Sequence, residues 1–469
     1  EDDRKLRAEL ANLLEQNKMF APKDAEQLAE WNPYDQNAVS PFFDAEWMFN
    51  TAEGFDIVIG NPPYIQLQKD SGKLANLYEA QNYKSFAKTG DIYCLFYEKG
   101  CNLLNSTGRL CFITSNKWMR AGYGEKLRDY FAKNVNPKLL VDFAGVKVFE
   151  SATVDTNILL FEKGKNEGKT LSCTTIALTK DGLSNLSDFV KQNSCISNFD
   201  TSNSWVILSP IEQSIKSKIE KIGTPLKDWD INIYRGVLTG FNDAFIISGE
   251  KRDEILANCK NEIERKKTAE LIRPILRGRD IKRYEYNFAD LYLINTHNGV
   301  KDKNIPRIDI KDYPAIKNHL DEYWDKISTR ADKGDTPYNL RNCAYMDEFN
   351  KPKMLWSETM RVHKHSNERF PRFSFDYNGF ITDKTCFFAV GEKLEWIVCF
   401  LNSYVGQYLC SKYVSILDNG GYLMQKIYIE KIPLPSVPDK MLDLCKSQIK
   451  KATKEKENEI DLKIYNIHG

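Results

Sequence analysis

Residues 55–68 read FDIVIGNPPYIQLQ, from Phe55 to Gln68. Ile57, Val58 and Ile59 form an apolar run of strand type, and Gly60-Asn61-Pro62-Pro63-Tyr64 cuts it off. Proline has no N–H to give to a sheet ladder, so two in succession end the strand. The run predicts a fully buried strand of an α/β sheet. In such sheets ligands sit in the crevice beyond the carboxyl ends of the strands. An amide, two prolines and a ring at that place therefore read as a site more than as a turn.

Such a corner permits a particular chemistry. The side-chain carbonyl of Asn61 and the backbone carbonyl of Pro62 can both accept hydrogen bonds from one exocyclic amino group, as in adenine N6. Drawing on both hydrogens localises the nitrogen lone pair for attack. Tyr64 offers a flat face for stacking, worth roughly 1–3 kcal/mol per base. The plain alternative is a proline turn capped by a packed tyrosine; the strand before it favours the site.

The chain has 469 residues, enough for two to four domains, and a hydrophobic share of 42% that can fill real cores. Lys+Arg of 66 against Asp+Glu of 65 leaves a net charge of +1, so a nucleic-acid surface must be local. No apolar stretch has the length of a membrane span, and EDDRKLRAEL at the start is charged and helix-like rather than a signal peptide. The 11 cysteines include no CxxC pair, which argues for reduced thiols in a cytosolic protein, and no metal site is expected.

Residues 4–30 carry helical periodicity in Leu6, Leu10, Leu13 and Leu14. Residues 66–88 read as a polar, mobile loop. Asp91 then opens a helix, IYCLFYEKGCNLL, as its N-cap. The strand LCFITSN (Leu110–Asn116), a helix near 124–133, the strand LLVDFAG and a strand within Val146–Lys163 follow. This alternation is that of a doubly wound sheet. From Gly164 it lapses into a charged, linker-like run, then aromatic-rich segments, and the tail 437–466 reads as a solvated helical cap.

At this point the chain resembles a known family. NPPY after FDIVIG is similar to motif IV of the γ-class DNA methyltransferases that act on adenine N6. GDIYCLFYEKGCNLLNSTGRLCFITSNKWM (Gly90–Met119) resembles motifs V and VI, and GVKVFESATVDTNILLFEK (Gly145–Lys163) motif VIII. TPLKDWDINIYRGVLTGFNDAFII, LIRPILRGRDIKRY, WIVCFLNSYVGQYLCSKY and YLMQKIYIEKIPLP resemble a TaqI-like specificity domain. The helical leader resembles an insertion of the large Eco57I-like members, which include fused restriction–modification enzymes. The resemblance implies a Rossmann-like methyltransferase sheet followed by a mixed α+β DNA-specificity domain. The expected division is a leader over 1–50, the carboxyl-terminal half of the catalytic domain over 51–165, a linker over 166–205, target recognition over 206–435 and a helical tail over 436–469.

Carried over residue by residue, Asn61 and the Pro62 carbonyl hold the amine, while Tyr64 and Phe149 stack on the two faces of an adenine flipped out of the duplex. Pro63, Phe96 and Asp91 belong to the cofactor side, and the methyl donor implied is S-adenosylmethionine. By its own position Phe96 is equally a core residue of its helix. The partner implied is double-stranded DNA, and the setting the bacterial cytoplasm, at the nucleoid. In the specificity half, Arg277, Arg279 and Lys282 flank Gly278 in a loop suited to DNA, with Arg361 and Lys364 in a second basic stretch.

The family's glycine-rich cofactor motif has no counterpart in residues 1–54. The expectation is a carboxyl-terminal part of a larger methyltransferase, without its amino-terminal part, with weak cofactor binding and with any fused nuclease upstream. A second reading is a DNA-binding specificity module with no catalysis of its own. Methylation of cytosine N4, of RNA or of a protein glutamine uses related chemistry; the leading Asn and the DNA-type specificity domain favour adenine in DNA.

Overall fold

Strand β1 (Phe55–Gly60) begins where Gly54 turns the chain with a φ of +98°. A Cβ at residue 54 would stand 2.7 Å from the Leu103 carbonyl oxygen, so the turn that launches β1 needs glycine. The computed structural model describes residues 2–16, 22–30, 32, 43–143, 146, 148–149, 155–175, 185–300, 304–362, 369–417, 421–438 and 440–468. They fall into two units, Glu1–Ile207 and Leu208–Gly469.

In the first unit, β1 is followed by β2 (Leu104–Ser115), β3 (Val135–Asp142), β4 (Thr156–Lys163), β5 (Thr170–Thr174) and β6 (Cys195–Ser197). Among the described residues they form one sheet in the order β1-β2-β4-β3-β5-β6. The β1/β2 and β3/β5 pairs are parallel, and the pairs at β2/β4, β4/β3 and β5/β6 antiparallel. The fold is mixed α/β, as expected. Helices α1 (Asp2–Gln16), α2 (Pro22–Glu30), α3 (Ala45–Phe49), α4 (Lys69–Glu79), α5 (Tyr93–Leu103), α6 (Glu125–Asn134) and α7 (Leu186–Asn193) accompany it.

One face of the sheet carries the larger core, and Val141, Phe143 and Cys173 form a smaller one with α7 on the other. Leu110 and Phe112 of β2 meet Tyr97 of α5 and Phe131 of α6, with the Tyr97 and Phe131 rings edge-on at 5.1 Å. Trp118 and Trp205 close this core at 5.2 Å. Each such ring taken out of water contributes roughly 1.5–3 kcal/mol. On the opposite face one apolar residue per strand falls into register: Ile59, Cys111, Leu160, Leu139, Leu171 and Ile196.

That row corrects the first expectation. Ile57 is 68% and Ile59 77% exposed, and only Val58 points into the core. The reason is the face: Ile57 and Ile59 point to the side of the sheet away from the core that holds Val58, on which Leu171 and Ile196 are exposed as well. Three further expectations change. Residues 66–88 are not a loose loop, because Leu67 and Ala75 are buried with Ile92 and Leu95 in a small core. Residues 170–197, inside the stretch read as linker, supply β5, α7 and β6 to the sheet. The leader periodicity over 4–30 resolves into α1 and α2 rather than one helix.

The second unit holds two four-stranded sheets, one of Phe373–Asp376, Lys353–Ser357, Cys386–Gly391 and Ile231–Arg235, the other of Ile381–Thr382, Ile272–Leu276, Leu291–Ile294 and Ile246–Ser248. The tail corrects its expectation as well. Met441, Cys445, Ile449, Ile460 and Ile464, from helices Met441–Lys450 and Lys454–His468, lie inside the core of this unit. Most of the Lys and Glu of those helices mark their outer face, while Glu457 and Asp461 are buried. All 11 cysteines are free thiols. Among the described residues no helix is long and apolar enough to cross a membrane.

Candidate functional site

The corner stands at the carboxyl end of β1. Asn61 and Pro63 are exposed, Pro62 is buried and Tyr64 is half-buried. Burial of Pro62 anchors the ring that fixes its own φ, so the carbonyl is held by two constraints. The Tyr64 ring lies edge-on to Tyr93 at 5.8 Å and 76°. Its hydroxyl is buried without a hydrogen-bond partner. Burial, and then the neighbouring Asp91 charge, push the Tyr64 phenol above its ordinary pKa. The phenol therefore stays neutral.

Helix α5 begins at Tyr93, two residues after Asp91, and Ile92 makes no side-chain cap bond. The Asp91 carboxylate faces the Ile92 and Tyr93 amides of the helix start. It also reaches back and accepts the Ile65 N–H at 2.8 Å. Burial raises its pKa, against the Ile65, Tyr93 and Ile92 amides and the Lys117 charge, which favour the ionised form. Asp91 thus binds the corner to the start of α5.

Phe96 is 40% exposed on α5, whose other side buries Tyr93, Cys94, Leu95 and Tyr97. It is therefore not a core residue. Phe149 is half-buried, while its neighbours at 147 and 150–154 fall outside the described residues. Its expected opposition to Tyr64 stays a proposal. Sequence reading passed over the polar groups at the next strand ends. Asn116, just past β2, donates to Asp142 at the end of β3 at 2.8 Å, and Asn157 donates to the Ser115 carbonyl at 3.1 Å. The signal was present in the "SN" that ends LCFITSN.

The groups implied for S-adenosylmethionine fit it in part. Pro63 and the Phe96 ring are open to contact, whereas the Asp91 carboxylate is engaged with Ile65. No strand comes before β1 among the described residues, so no strand-to-glycine turn of the kind that cradles a nucleoside is among them.

In the second unit the expected basic loop is partly internal. Arg277 makes a two-point pair with Asp280, Nε to Oδ2 and Nη2 to Oδ1, both at 2.9 Å, which turns its guanidinium into a brace for residues 277–280. Arg279 and Arg361 are exposed, Lys282 is half-buried, and Lys364 lies outside the described residues. Arg235, not singled out from the sequence, is half exposed and donates to Glu358 at 2.8 Å and to the Lys384 carbonyl at 3.0 Å. Gln425 donates to the other Glu358 oxygen at 3.1 Å. These residues come from separate segments that the sequence alone could not bring together. Among the described residues no group of three or more His, Cys, Asp or Glu side chains is arranged to hold a metal.

A mixed α/β domain with a polar corner at a strand end is the class that fold and site define. Residues 2–149 match the family described as Eco57I restriction-modification methylase. Over 415 residues the chain is 22% identical to the Type II methyltransferase M.BstVI of Geobacillus stearothermophilus, covering 83% of this chain and 69% of that protein. It is 25% identical over 297 residues to the Type II methyltransferase M.PaeR7I of Pseudomonas aeruginosa, covering 61% of this chain and 48% of that one. The Type IIL restriction-modification enzyme MmeI, solved in complex with DNA, shares the fold with a TM-score of 0.55 at 12% identity, over 88% of this chain and 55% of its own. The chain thus spans from about half to just over two thirds of the length of these relatives. Over the parts matched, the chain is thus similar to type II restriction-modification DNA methyltransferases.

Proposed function

We propose that the chain is part of a site-specific DNA methyltransferase that modifies adenine N6, with residues 51–165 as half of its catalytic domain and 206–435 as its target-recognition domain. The observation that carries this is the corner itself: an exposed Asn61 on a buried Pro62, next to a ring held edge-on by Tyr93. Asn61 Oδ1 and the Pro62 carbonyl accept the two N–H bonds of the extruded amine, and Tyr64 and Phe149 take its two faces. S-adenosylmethionine, when bound, supplies the methyl group to the nitrogen. The protein's own contribution is positioning and polarisation, with no covalent bond to the enzyme. Arg279, Lys282, Arg361 and Lys364 contribute phosphate contacts, and the setting is the bacterial cytoplasm.

A second reading, a DNA-binding specificity module without catalysis of its own, is favoured for the chain by itself because β1 lacks a neighbour on one side among the described residues. The test is methyl transfer from labelled S-adenosylmethionine to duplex DNA by the complete protein, with Asn61→Ala beside it. Loss of labelling in the variant, with unchanged thermal unfolding, is expected. Undiminished labelling would remove Asn61 from its role.

A further inference from the structure

We infer that Asp91 is a positioning residue for the Asn61–Tyr64 corner, tying the backbone that carries Tyr64 to the start of α5; the inference rests on the methyltransferase reading. Three bonds make the tie. The Ile65 N–H donates to Asp91 Oδ1 at 2.8 Å, the Ile92 N–H donates to the Ile65 carbonyl at 2.9 Å, and the Leu67 N–H donates to the Gly90 carbonyl at 2.9 Å. Gln66 and Asp91 face each other as an antiparallel bridge. Two of these bonds are backbone to backbone. The one supplied by a side chain holds the residue next to Tyr64.

Tyr64 has little else to fix it. Among the described residues its hydroxyl has no hydrogen-bond partner, and its ring is set by packing against Tyr93. Tyr93 lies two residues beyond Asp91, at the first position of α5, and its hydroxyl is bonded to that of Tyr123 at 2.7 Å. Ring and backbone are thus referred to the same helix start, and the Asp91 carboxylate closes the loop between them. Displacing a reacting group by about 1 Å can cost on the order of 10²-fold in rate, so a tie of this kind acts on turnover without touching substrate.

The tie needs an acceptor at Oδ1, not a charge. Asp91→Asn keeps the acceptor and Asp91→Ala removes it, and this contrast is the experiment. In amide hydrogen exchange on the complete protein, Asp91→Ala is expected to speed exchange at Ile65 and Leu67 by about tenfold or more relative to the α5 amides, and Asp91→Asn to stay within about threefold of the parent. In DNA methylation, Asp91→Ala is expected to lower kcat by about 10–100-fold with KM for DNA within about threefold, and Asp91→Asn to restore it. Parent-like exchange in Asp91→Ala overturns the inference, as does an equal fall in kcat for both variants. Exchange is read whether or not DNA is methylated. Absence of methyl transfer to duplex DNA by the complete protein would therefore defeat the methyltransferase reading alone and leave the tie to be judged by exchange.

Discussion

Arg283 donates through Nε to Glu457 Oε1 at 2.9 Å, joining residues 174 positions apart and fastening helix Lys454–His468 to the body of the second unit. Arg369 and Lys454 approach the same carboxylate at 3.0 Å. Removing the carboxylate leaves the largely buried Arg283 and Arg369 without this counter-charge, while Lys454 is half exposed. Glu457→Ala is therefore expected to destabilise by about 3 kcal/mol, read in thermal or denaturant unfolding.

The same carboxylate gives a pH dependence. Burial raises the Glu457 pKa, but the bonds and charges of Arg283, Lys454 and Arg369 outweigh it and hold the group below its ordinary 4.5. A depressed pKa means stability that is fully present above the unfolded value and is lost as pH falls through the folded one. Acid unfolding of the parent is expected to steepen below about pH 4.5, and Glu457→Gln to flatten that limb. Identical acid limbs for the two proteins would refute this.

Tyr64 invites a substitution that separates ring from hydroxyl. The hydroxyl is buried and unpartnered, so Tyr64→Phe is expected to be neutral or to stabilise by up to about 1 kcal/mol. Methylation by the complete protein should stay within a few-fold, because the stacking face is kept. Tyr64→Ala, which loses the face, should forfeit roughly 1–3 kcal/mol of base stacking. Equal rates for Phe and Ala would count against stacking.

Gly236 lies in the YRGVLTG segment that resembles the specificity domain. A Cβ there would stand 1.9 Å from the Asp383 carbonyl oxygen, and the Gly236 N–H donates to the Cys386 carbonyl at 2.9 Å. This glycine permits one backbone to lie on another. Gly236→Ala is expected to cost about 3 kcal/mol in unfolding experiments, at the upper end for a single substitution.

Isothermal calorimetry of S-adenosylmethionine against the 469-residue chain by itself is expected to show weak binding or none. Only Pro63 and the Phe96 ring among the implied contacts are open. Micromolar affinity would overturn this expectation.

What the sequence disclosed follows from how local each signal is. The halt at Asn61-Pro62-Pro63-Tyr64 and the alternation from β1 through β4 depend on short-range backbone chemistry, and the structure has them within a few residues. Ile57 and Ile59 misled because an apolar run looks the same on a covered face of a sheet and on an open one. Burial is decided by what packs over each face, and that is a long-range fact. The tail misled in the opposite sense, since Ile460 and Ile464 form a narrow buried stripe among Lys and Glu. Arg277 pairs with Asp280 three residues on, a local contact that the sequence reading passed over. Arg235, Glu358 and Gln425 meet only in three dimensions.

The row from Ile59 to Ile196, beside a strand edge with no described neighbour, decides how the isolated chain behaves in a tube. An oily sheet end of this sort recruits other sheets. Added salt weakens cohesion between charges but strengthens this kind. Turbidity in concentrated samples should accordingly grow with sulfate, and a lysine at position 59 should clear it.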